Sequence, residues 1–119
     1  KYRCFLSNAC GKLFPLSVIG DTRLNESFSI GEDALFSFSI SNKIKEIVLS
    51  ENDVFYLRRL RMGSASRRQR SRFDKLKNGY RLCIAYSKIY FKRPFDYNLL
   101  FFISRITATC VHIIKRDKI

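Results

Sequence analysis

Nine cationic side chains, Arg58, Arg59, Arg61, Arg67, Arg68, Arg70, Arg72, Lys75 and Lys77, fall within residues 58–77 and are opposed by Asp74 alone, a net +8 in 20 residues. Gly63-Ser64-Ala65-Ser66 in the middle of this stretch lacks any apolar period, so the stretch reads as a loop that carries its arginines into solvent. Any core must therefore be drawn from the segments on either side. More than half of the chain's +13 is concentrated here, which predicts an anionic partner. Arginine dominates over lysine, and a planar guanidinium pairs bidentately with phosphate or stacks on a base, a better match to nucleic acid than to general solubility. An acidic protein surface would satisfy the same charges. Single-stranded RNA would also need aromatics beside the cations, and Phe73, Tyr80, Tyr86 and Tyr90 are the candidates; each taken singly is expected in the core.

With 119 residues, 46% of them hydrophobic, 11 Phe, 6 Tyr and no Trp, the chain reads as one folded domain over residues 1–119 rather than a disordered tail. The apolar-rich run over residues 97–114 contains Arg105 and His112 and falls short of the roughly 20 clean residues a bilayer span needs, so no membrane association is expected. The chain opens at Lys1 without an initiator Met, as a processed, mature product would. Four cysteines, Cys4, Cys10, Cys83 and Cys110, in a short chain of secreted origin favour two disulfides with three connectivities open. The competing reading is four buried free thiols inside a cell. No C-x-x-C pair occurs, which speaks against structural zinc, and no metal or cofactor is expected.

Residues 34–41 alternate, with Ala34, Phe36, Phe38 and Ile40 on one side and Leu35, Ser37, Ser39 and Ser41 on the other, the pattern of a half-buried strand. Residues 43–49 fit a short helix or a second strand. Ser50-Glu51-Asn52-Asp53 resembles a capping box and, with Val54, Leu57 and Leu60 as a helical stripe, predicts a helix from about residue 51 to Gly63, while Phe55, Leu57 and Arg58 would also suit a strand. Tyr80, Leu82, Ile84 and Tyr86 again alternate with their neighbours, and further strands are expected at residues 89–92, 97–104 and 106–114, with a turn at Arg93-Pro94. The fold class expected is α+β, an antiparallel β-sheet with one main α-helix packed on it.

Catalytic machinery is hard to assemble. His112 is the single histidine and cannot serve as both acid and base; within its apolar run it is expected to be a buried or half-buried structural residue. No glycine-rich loop or nucleophile elbow is present, and the carboxylate pairs Glu32-Asp33 and Glu51 with Asp53 stand next to turn or cap signals that explain them. The residues speak against an enzyme, and no catalytic residue is assigned.

Tyr2-Arg3-Cys4 at the start of the chain, Cys110 close to its end and the β-type patterns of the second half resemble the ribonuclease-like secreted effectors of powdery mildew fungi. Their fold is similar to that of the fungal guanyl-specific ribonucleases, and they have generally lost the catalytic residues. The resemblance implies a Cys4–Cys110 bridge, leaving Cys10 and Cys83 as the second pair. Closing so long a loop would stabilise by roughly 4 to 5 kcal/mol in the chain-entropy model. It also implies a ribonuclease-like, disulfide-linked sheet, secretion and delivery into the host cell cytoplasm, and recognition by plant immune receptors. The functional expectation is a monomeric, non-catalytic secreted virulence effector that binds host RNA or an acidic host protein through residues 58–77. The alternative is an intracellular ribosome- or RNA-associated basic structural protein.

Overall fold

A computed structural model describes residues 5–59 and 70–115 of the chain. Among these residues it is all-helical, with no strand: α1 (Leu16–Ile19), α2 (Glu32–Ile40), α3 (Arg72–Lys92) and α4 (Leu99–Ile114), with a 3-10 turn at Ser41–Lys43 after α2. The antiparallel sheet of a ribonuclease-like α+β fold is therefore overturned. The strand expected over residues 34–41 is α2 and its exit, the strands expected from Tyr80 to residue 92 lie inside α3, and those expected over 97–104 and 106–114 fall almost wholly in α4. Residues 43–49 form no second strand; after Lys43 they run as irregular chain.

The local reasons are visible at each helix start. The predicted helix from residue 51 does not form; Val54 N–H donates to Glu51 O in a simple turn, and Gly63 lies outside the described residues. The same Ser-x-x-Asp signature recurs at Ser71–Asp74, where it does cap a helix. Ser71 Oγ accepts from the Asp74 N–H at 3.1 Å and donates to the Asp74 carboxylate at 2.8 Å. Asn98 caps α4, its Oδ1 accepting from the Phe101 N–H at 2.9 Å. In α2 the acidic pair Glu32 and Asp33 occupies the first turn, where the exposed N–H groups favour negative charge. Gly31 enters α2 with φ +88°, a left-handed conformation, and a side chain there would also press on Leu82 Cδ1 at 2.6 Å.

The core is aromatic. Phe38 of α2 is fully buried; its ring meets Tyr86 edge-on at 5.3 Å, stacks on Tyr97 at 5.2 Å and tilts against Phe101 at 5.5 Å. Such pairs contribute about 0.5–1.5 kcal/mol each beyond their area burial. Tyr97 O–H donates to Ser39 O at 3.0 Å, fixing the α3–α4 turn onto α2. Phe28, Leu35, Leu82 and Tyr90 complete the buried cluster.

α3 and α4 form an antiparallel pair whose register is set by successive contacts. A Cβ built on Gly79 would lie 2.4 Å from Ile113 Cδ1, so the helices close on each other at this glycine. Farther along α3, Tyr86 meets Arg105, and Tyr90 stacks on Phe102 with ring centroids 4.4 Å apart. Arg105 is buried, with its guanidinium 5.1 Å from the Phe101 ring centroid and donating to the Tyr86 hydroxyl. Burial pushes the Tyr86 phenol up to about 12 despite the opposing pull of Arg105. The turn between the helices falls at Arg93-Pro94, where the sequence placed it.

Candidate nucleic-acid interface

The basic segment does not form one loop. Arg61, Arg67 and Arg68 lie outside the described residues. Arg58 and Arg59 are exposed on irregular chain, and Arg70 donates to Ser29 Oγ at 2.9 Å just before α3. Arg72, Lys75 and Lys77 belong to the first two turns of α3, with Arg72 and Lys77 exposed and Lys75 half-buried. Asn78 on the same helix anchors it by donating to Ile30 O at 3.1 Å.

Helical geometry extends the cationic surface beyond the predicted segment. At about 100° per residue, Lys77, Arg81, Lys88 and Lys92 fall within one strip of α3, and all four are exposed. At its C-terminal end the strip runs into a shallow depression lined by Lys43, Asn42, Ser39, Lys92, Arg93 and Tyr97. Arg81 also lies over the Phe28 ring, 4.9 Å from its centroid, which holds the guanidinium close to the helix surface.

Beside this strip runs a line of exposed apolar rings. Phe73, Tyr80 and Phe91 are 72%, 66% and 69% exposed, and helical geometry puts them within about 20° of one another around α3. Ile84 lies between them, 37% exposed. Phe73 to Phe91 is 18 residues, about 27 Å along the axis at 1.5 Å per residue. Phe91 is steadied by edge contacts to Tyr90 at 5.4 Å and Phe102 at 6.1 Å. Of the four aromatics singled out from the sequence, Phe73 and Tyr80 are on this surface, whereas Tyr86 and Tyr90 are buried on the opposite side against α2 and α4. Arg81, Lys88, Lys92 and Phe91 were not among the predicted site residues. Their signal was the 77, 81, 88, 92 spacing, which becomes a face only once the segment is known to be helical.

The other predicted elements are placed as follows. Cys10, Cys83 and Cys110 stand as free thiols in this structure, Cys10 and Cys110 exposed and Cys83 half-buried, and Cys4 lies outside the described residues. His112 is exposed in the last turn of α4, not buried as its apolar neighbours suggested, because it faces away from the seam that Ile113 enters. Among the described residues no three His, Cys, Asp or Glu side chains converge as a metal site would require. No described helix is long and apolar enough to cross a membrane.

Compared with known proteins, the chain matches no family model, no curated protein and no solved structure.

Proposed function

We propose that the protein is a non-catalytic basic module that holds single-stranded RNA along the outer face of α3. The observation that carries this reading is the parallel placement of an aromatic line, Phe73, Tyr80 and Phe91, beside a cationic strip, Lys77, Arg81, Lys88 and Lys92. Bases stack on exposed rings whatever their identity, and phosphates track the neighbouring positive charges, so the two strips together match a flexible single strand. A rigid duplex buries its base faces and would leave the rings without a partner. Arg58, Arg59, Arg70 and Arg72 add to the positive field that draws the strand in.

The reading applies equally to a secreted effector meeting host RNA and to an intracellular RNA-associated protein. The oxidation state of native material separates those settings, since two disulfides remove four hydrogens from the intact mass and free thiols remove none.

The test is fluorescence anisotropy with a labelled single-stranded oligoribonucleotide across a salt series. Replacing Lys77, Arg81, Lys88 and Lys92 together by Gln should lower the slope of log K against log salt by about 3, at roughly 0.7 per lost phosphate contact. Phe73→Ala and Tyr80→Ala should each weaken binding roughly 5- to 150-fold, the equivalent of ~1–3 kcal/mol per stacked base, with the slope unchanged. Absence of binding at low salt, or an affinity that ignores salt, would refute the reading. Equal affinity for polyglutamate with no loss in Phe73→Ala would assign the surface to an acidic protein instead.

A further inference from the structure

We infer that Cys83 and Cys110 are a disulfide-forming pair, one that staples α3 to α4 when the protein meets a low-molecular-weight disulfide such as oxidised glutathione. The inference rests on the helix register alone and is independent of what α3 binds. Gly79 packs against Ile113, and Tyr90 stacks on Phe102, so α3 and α4 run antiparallel with residue numbers that sum to about 192 at each contact. Tyr86 with Arg105 obeys the same rule, and so do Cys83 and Cys110. Cys83 is one turn along from Gly79 on the same face, and Cys110 is one turn before Ile113.

One turn from Cys83 the helices approach closely. The virtual Cβ of Gly79 penetrates the Ile113 side chain, which means that the backbones approach more nearly here than side chains on both helices would allow. Bridging two cysteines needs Cα atoms within about 7 Å, and facing Cα atoms of helices packed about 8–10 Å between axes, each about 2.3 Å off its own axis, meet that limit. Cys110 lies close enough to the Cys83 thiol to push it up, as the register across the seam requires of facing residues.

The two thiols differ in a way that orders the chemistry. Cys110 is exposed, whereas Cys83 is half-buried and its thiol is pushed up, first by burial and then by the neighbouring Cys110. Cys110, as thiolate, attacks one sulfur of oxidised glutathione and expels a glutathione thiolate, forming a mixed disulfide. Cys83 then gives up its proton to solvent and attacks the Cys110 sulfur, expelling the second glutathione. Two protein S–H bonds are lost and one S–S bond is formed, while one oxidised glutathione becomes two reduced ones. Of the three connectivities open to four cysteines, this selects the one that leaves Cys4 and Cys10 to each other.

The experiment is a disulfide map of the full chain equilibrated in glutathione redox buffer, alkylated and digested with trypsin without reduction. Cleavage after Arg81, Lys88, Arg105 and Lys115 isolates peptides 82–88 and 106–115, one cysteine in each. The expected product is these two peptides joined, two hydrogens lighter than their sum. In the Cys4→Ser, Cys10→Ser variant the intact protein should lose two hydrogens, and its thermal midpoint should rise on the order of 10 °C over the reduced form. Cys83 or Cys110 joined mainly to Cys4 or Cys10 would overturn the inference. So would both remaining as thiols or glutathione adducts in protein whose circular dichroism stays helical.

Discussion

Replacing Gly79 by alanine sets two opposed energies against each other at the α3–α4 seam. Glycine inside a helix is worse than alanine by about 1 kcal/mol, because it loses more backbone freedom on folding. On an open helix face the substitution would therefore stabilise by that amount. At residue 79 the added methyl would stand 2.4 Å from Ile113 Cδ1 and 2.6 Å from Ile113 Cγ1, against the 3.5–4.0 Å of ordinary carbon contacts. Thr109 Cγ2 at 3.6 Å is no obstacle. Swinging Cδ1 aside does not clear Cγ1, which moves only if Ile113 changes χ1, and a β-branched residue in a helix has one strongly preferred χ1. Overpacking of this kind costs about 1–3 kcal/mol. Taking the middle of that range, Gly79→Ala should destabilise the protein by ~1 kcal/mol net. In an Ile113→Ala background both obstructing carbons are gone, and the same substitution should instead stabilise by ~1 kcal/mol, a coupling energy of about 2 kcal/mol. Urea unfolding followed by far-ultraviolet circular dichroism measures all four corners of the cycle, with equal m-values as the check that the change is in stability. Stabilisation of similar size in both backgrounds would refute the close approach at Gly79, and with it the register that places Cys83 opposite Cys110.

Two further outcomes follow from buried polar groups. Ser37 is fully buried, and its Oγ has no hydrogen-bond partner among the described residues; Ser37→Ala should raise stability by about 1–2 kcal/mol in the same urea assay, and a loss would show that the hydroxyl is satisfied. Tyr86, whose phenol is pushed up to about 12, supplies a pH signature. Because the folded value exceeds the unfolded one near 10, its contribution is complete below pH 10 and is lost as pH rises toward 12. About 2–3 kcal/mol should disappear over that window in the wild type and be absent from the pH dependence of Tyr86→Phe, and identical alkaline slopes for the two proteins would contradict the burial of this phenol.

Composition and short-range chemistry determined a definite part of this protein. The net charge and its concentration near α3, the aromatic make-up of the core and the turn at Arg93-Pro94 are all legible in the chain, because each depends on local residue type or on a total. Element type was not legible, and the reason is arithmetic. Leu82, Tyr86 and Tyr90 recur every four residues, a spacing that is even, as a strand requires, and close to one helical turn, as a helix requires. Gly79 and the half-buried Ala85 and Ile89 break the tie toward a helix, but their weight depends on α4 and α2 being there to cover that face. Phe38 shows the same ambiguity in α2: alternation put it on a strand face, yet it is buried by rings from Tyr86, Tyr97 and Phe101, which lie 48 or more residues away in the chain. The outer strip of α3 and the meeting of Cys83 with Cys110 belong to that non-local level too. Which residues share a helix face, and which cross a seam, is settled when two helices choose a register, and a register is an energy of packing between distant segments that no local pattern encodes.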